Sequence, residues 1–177
     1  NMWYFDVNGP WTINATIRDI NNAGGENSSQ TFNFNLLTAM NMSPTNLTWP
    51  EVGLTATNTH ANQNITINNT GNDVALSINV TAYNLRGETT TTQFIYADNF
   101  TVNNATQGTC TVTEMVNATS TNVTNAILER GNNSLNFWNA TSGQEQTVFC
   151  LQGVLPTISA QAYSTSFYGP WVIAVIT

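Results

Sequence analysis

Residues able to do chemistry are few in this chain, and they lie far apart. The single histidine, His60, sits in the polar segment Asn58-Thr59-His60-Ala61-Asn62. One imidazole in an expected loop does not assemble a nucleophile relay with a serine or a cysteine. The ten carboxylates, from Asp6 to Glu145, are scattered along the sequence, mostly at expected turns and strand ends. They read as solvated loop acids and not as the facing pair that glycoside hydrolysis needs. Glu114 stands out only because it closes Cys-Thr-Val-Thr-Glu. Calcium is the metal to weigh, since Asn72-Asp73, Asp98-Asn99, Asp6 and Asp19 offer oxygens, although no dense alternation of acids marks a dedicated loop. The expectation is no enzyme and no cofactor beyond N-linked glycans.

Two other chemistries are better marked. Cys110 and Cys150 are the only cysteines. In an oxidising compartment they pair as one disulfide, and the alternative is two buried thiols. With one histidine they do not reach the four ligands of a structural zinc. The second signal is Asn-x-Ser/Thr. Thirteen acceptors occur: Asn14, Asn27, Asn41, Asn46, Asn64, Asn68, Asn79, Asn99, Asn104, Asn117, Asn122, Asn132 and Asn139. Composition alone would give about six. The excess points to an N-glycosylated chain whose sugars supply the hydration that charge usually supplies.

Charge is indeed scarce. Of 177 residues only 7% are charged, against roughly 25% in an average domain. The basic residues are Arg18, Arg86 and Arg130, there is no lysine, and the net charge is -7. Three scattered cations exclude a nucleic-acid footprint and a polybasic membrane contact. Asn (28) and Thr (29) fill the deficit. No apolar run reaches the roughly 18 to 20 residues of a membrane helix. The opening Asn1-Met2-Trp3 carries no signal-peptide pattern, so a mature, processed extracellular form is expected.

The elements that must position these residues read as β throughout. Trp11, Ile13, Ala15 and Ile17 alternate with polar residues, as do Val74 to Tyr83, Thr31 to Leu36 and Asn99 to Val102. Period two is the mark of a half-buried strand. Strands are expected near 2–6, 11–18, 31–37, 52–58, 64–68, 74–83, 93–97, 99–103, 110–116, 123–128, 134–138, 146–151, 157–163 and 170–176. Turns are expected at Asn8-Gly9-Pro10, Asn22-Ala23-Gly24-Gly25 and Asn69-Thr70-Gly71-Asn72, among others. Segments 116–130 and 134–142 are ambiguous, with room for a helical turn. In ten sequons the middle residue is apolar, which puts sugar and core on opposite strand faces. Trp11 and Trp171 read as core, while Trp3 and Trp138 are the aromatics left for stacking on sugars. The whole is an Ig-like or jelly-roll β-sandwich.

Gly-Pro-Trp heads a strand twice, at residues 9–11 and 169–171. The first copy is followed by another strand; the second runs into Trp171, Val172, Ile173, Ala174, Val175 and Ile176, apolar on both faces. Such a strand is either central or an exposed edge. Residues 1–40 thus read as an N-terminal hairpin extension available for donor-strand exchange, and 41–177 as the sandwich. Donation to an identical neighbour would build a homopolymer, because a head-to-tail contact does not close. Folding back onto its own sandwich would give a monomer instead.

Trp-Thr-Ile-Asn-Ala-Thr-Ile-Arg-Asp (11–19), Ile-Thr-Ile-Asn-Asn-Thr-Gly-Asn (65–72) and Val-Phe-Cys-Leu (148–151), with the second Gly-Pro-Trp, resemble Asn/Thr-rich surface proteins of archaea built from Ig-like modules. The resemblance implies an extracellular protein of the envelope, surface-layer or pilus kind, and it brings no catalytic residue. The functional expectation is a structural subunit of a filament or surface layer. The alternative is a monomeric adhesin or carbohydrate-binding module making glycan contacts.

Overall fold

The structure is a computed structural model and describes residues 2–105, 110, 113–131, 143–153 and 157–177. It is all-β. The strands, in chain order, are β1 (Gly9–Arg18), β2 (Gly24–Phe34), β3 (Met40–Ser43), β4 (Thr59–His60), β5 (Ile65–Asn69), β6 (Leu76–Thr81), β7 (Leu85–Gly87), β8 (Phe94–Ile95), β9 (Phe100–Asn104), β10 (Thr113–Glu114), β11 (Ser120–Leu128), β12 (Gln144–Leu151), β13 (Tyr163–Ser164) and β14 (Val172–Ile176). A 3-10 turn spans Ala97–Asn99.

Two antiparallel sheets enclose the core. The larger runs β10-β9-β12-β5-β3, with β4 also pairing β12, and the smaller runs β11-β6-β14. Alternation sets which side chains face inward. Leu76, Ile78 and Val80 of β6 are buried while Ser77, Asn79 and Thr81 are half-buried. Ile67, Phe100, Val102, Val123, Leu128 and Phe149 meet them from the neighbouring strands. A third sheet, β13-β7-β8, lays Leu85 and Ile95 against this core. Trp171 packs edge-on to Phe100 at 5.1 Å and donates its indole N–H to the Tyr83 carbonyl at 2.7 Å. A buried indole needs such a partner for its one donor.

The remaining sheet is the β1-β2 hairpin, which pairs with no other strand among the described residues. Its turn is closed by Asp19, whose carboxylate accepts the amides of Asn21 and Ala23 at 2.8 Å each. Gly9 stands opposite Phe34 and Trp11 opposite Phe32, so these aromatics share a face with Ile13, Ala15 and Ile17. That face is open to solvent: Ile13 is 51% and Ile17 76% exposed.

The hairpin's root is fixed where its chain enters the sandwich. Asn72, 1% exposed, accepts the Leu37 amide at 2.6 Å and donates to the Asn35 carbonyl at 3.0 Å. The Asn72 and Thr70 amides reach Leu37 and Ala39 carbonyls at 2.9 and 3.0 Å. Thr38 donates its hydroxyl to Asp73 at 2.5 Å. Gly71 packs so tightly below Leu37 that a Cβ there would lie 2.0 Å from the Leu37 oxygen.

Several expectations are corrected. Residues 2–6 form a turn, not a strand, because Asp6 takes the Trp3 amide on its carboxylate and returns its own to the Trp3 carbonyl. Residues 52–58 also turn, with the Ala56 amide on the Gly53 carbonyl at 3.0 Å. Gly24 and Gly25 lie inside β2 and not in a turn, since the ladder to β1 holds them. Of the expected strand at 157–163 only Tyr163 pairs, together with Ser164 just beyond it. The ambiguous stretch 116–130 contains strand β11. The expected strand at 134–138 and the ambiguous 134–142 lie outside the described residues. Trp11 belongs to the free hairpin and not to the core cluster; its indole caps the Val7 carbonyl at 2.8 Å.

Candidate assembly surface and associated sites

The two sheets differ in width, and the difference exposes a seam. β14 pairs β6 on one side and has no second neighbour among the described residues. Ile173 and Val175 turn toward the core, whereas Val172 and Ile176 are 47% and 46% exposed. Among the described residues β14 is therefore an edge strand, and an edge presents backbone donors and acceptors to a further strand. Beside it a groove of about 360 Å³ opens between β14 and the β3 side of the larger sheet. Met42, Leu47, Trp49, Ile65, Trp171 and Ile173 line it. β14 covers Val172–Ile176 of the stretch 171–176 read as an assembly edge, and among the described residues no ladder joins it to the hairpin.

The cysteines form the disulfide Cys110–Cys150, with Cα atoms 5.5 Å apart. His60 is not in a loop, as the sequence suggested. It occupies β4 opposite Cys150, and its Nε2 lies 3.3 Å from the Cys110 sulfur. The three ligand atoms of His60, Cys110 and Cys150 fall within 4.8 Å of one another, but the sulfurs are bonded to each other. The Asn72 and Asp73 oxygens weighed for calcium are engaged at the hairpin root, and those of Asp6 and Asp19 close turns. Asn99 accepts the Tyr96 amide at 3.2 Å.

Glu145 departs most from the reading of solvated acids. It shares the inward face of β12 with Thr147, Phe149 and Leu151 and is 6% exposed. Burial raises its pKa from 4.5 to about 7, opposed by a hydrogen bond from the Asn104 amide. Asn104 also donates to the Asn125 carbonyl, at 3.0 Å, in the bulge of β11. The period-two register with Phe149 is visible in the sequence and places Glu145 inside.

The sequons divide by exposure. Asn14 and Asn27 lie on the hairpin, and Asn41, Asn46, Asn64, Asn117 and Asn122 are also exposed. Asn68, Asn79 and Asn99 are half-buried. Asn104 is 4% exposed with both amide hydrogens engaged inside the sandwich, so the folded chain leaves no room for a sugar there. Asn41 faces Asn68 across one ladder, and Asn79 faces Asn122 across another. Asn46 lines the groove beside β14. Asn132 and Asn139, like Trp138, lie outside the described residues. Trp3 is 45% exposed and stacks on Phe5.

No family model, curated protein or solved structure matches this chain. Among the described residues no helix is long and apolar enough to cross a membrane.

Proposed function

We propose that this chain is a structural subunit of an extracellular filament or surface layer, of the archaeal kind its sequence resembles, that assembles head to tail by β-strand addition. The β1-β2 hairpin of one copy adds to β14 of the next, and its apolar face fills the groove beside Trp49 and Trp171. N-glycans coat the outer faces, and no catalytic step is involved. One observation carries the reading: among the described residues β14 has a neighbour on one side only, and the same chain holds a two-stranded ribbon that pairs with no other strand and has one apolar face.

The energetics favour an all-or-none contact. Covering Ile13, Ile17 and Phe32, which are 51%, 76% and 36% exposed, contributes at most about 1.5–3 kcal/mol each, against an association cost of roughly 4–15 kcal/mol. Side-chain burial alone barely balances that cost, so ladder bonds to β14 must add to it. Salt bridges contribute little in a chain with three cations.

Electron microscopy of the native extracellular material tests this. The expected result is regular fibres, lost when Ile13 and Ile17 are both replaced by Asp while the sandwich stays folded. Dispersed particles from the native chain, or normal fibres from a chain lacking residues 9–34, would overturn it.

A further inference from the structure

The outer face of the β13-β7-β8 sheet has a composition unlike the rest of the surface. Ser164, Arg86 and Phe94 stand in one cross-strand row, each opposite the next. Alternation puts Tyr96 and Glu88 on the same side, since Leu85 and Ile95 point the other way into the core. Tyr168 lies 6.1 Å from Phe94 and 4.8 Å from Phe167, ring centroid to centroid. Tyr96, Phe167 and Tyr168 are 44%, 58% and 43% exposed. Contiguous exposed aromatics of this kind mark contact surfaces.

Two further observations say what covers it. First, no sequon begins within 80–98 and residues 140–177 contain no asparagine at all; the sequon nearest Tyr96 is Asn99, which is half-buried and holds the Tyr96 amide. Second, the Arg86 guanidinium rests 3.9 Å above the Phe167 ring and donates no hydrogen bond to any described residue. Its fork is held in place with its donors open. The nearby Glu88 does not use them, because it accepts the hydroxyls of Ser164 and Ser166. A ligand fitting this face presents a flat apolar surface to Phe94, Tyr96 and Tyr168 and a carboxylate to Arg86, with hydroxyls for Glu88 and the serines.

We propose that this face binds an acidic polysaccharide, one whose pyranose rings stack on the aromatics and whose uronate carboxylate pairs with Arg86. The site is built from its own residues, and it shares Ser164 with the lining of the groove beside β14.

The test is binding of oligogalacturonate by the full-length chain, followed by calorimetry, with a neutral glucose oligomer of the same length alongside. The acidic oligomer should bind at least about tenfold more tightly. Tyr96→Ala should weaken both sugars about tenfold. Arg86→Gln should remove the preference for the acidic one. Both side chains point outward, so thermal midpoints should match the parent and certify folding. The proposal is overturned by no binding at millimolar sugar, by affinities that neither substitution changes, or by protection of Tyr96 through a second copy of the chain without sugar.

Discussion

Replacing Glu145 with glutamine should stabilise the protein at alkaline pH and leave it little changed at acidic pH. The carboxyl titrates near 7 in the folded chain and near 4.5 when unfolded. Between those values the folded state holds the proton more tightly, so stability is full below about pH 4.5 and falls as pH rises through 7. Each tenfold difference in proton affinity between the two states is worth about 1.4 kcal/mol, which gives roughly 3 kcal/mol as an upper bound. The carboxyl sits at the end of the core, where solvent screening reduces this to about 1–2 kcal/mol. Glutamine keeps an oxygen for the Asn104 amide and cannot ionise. Thermal denaturation of parent and E145Q at pH 5 and pH 8 measures the difference. In a chain of this length the variant's midpoint should gain about 5 °C more at pH 8 than at pH 5. Equal effects at both pH values would refute the placement of an ionising carboxyl inside the sandwich.

Other consequences are equally direct. Cys150→Ala opens a loop with a 40-residue separation and should cost about 2–4 kcal/mol, read from denaturant unfolding. Asn72→Ala strands the Leu37 amide and the Asn35 carbonyl; it should cost about 1–3 kcal/mol, with hydrogen exchange at Leu37 rising first. Trp171→Ala removes the indole between Trp49, Phe100 and Phe149 and should cost about 3–5 kcal/mol in the same assay. Glycopeptide mass spectrometry should find Asn104 unmodified, and Asn46 unmodified in assembled material, with sugar at exposed sites such as Asn64 and Asn117.

Strands whose apolar residues keep strict alternation are readable from the sequence. Ile78 and Val80 in β6 and Phe100 and Val102 in β9 announce both the strand and its inward face, whereas β14, apolar on both faces, announces only the strand. Sequence and structure part where composition and pairing disagree. Gly24 to Ser29 has no alternation and two glycines, yet it is extended because β1 supplies its ladder. Trp3 to Phe5 has the residues of a strand, but a single carboxylate, Asp6, closes it into a turn. The aromatic face at Phe94, Tyr96 and Tyr168 is hidden in the sequence because its strands are two or three residues long and Thr89 to Thr92 separates them. His60 and the disulfide converge only through the pairing of β4 with β12, which no spacing encodes.

The join at residues 35–39 bears on the symmetry of any head-to-tail assembly. Each step along such a chain repeats one rotation and one rise, and both are set by the attitude of the hairpin to its own sandwich. Were that join a free tether, successive copies would swivel and the product would be a string of beads without a defined pitch. Here Asn72, Asp73 and the backbone at Thr70 hold it on both sides, with Gly71 seated beneath it. The helical parameters would then be written into one buried turn of a single subunit, and loosening that turn would change the twist of a fibre before it changed whether a fibre forms.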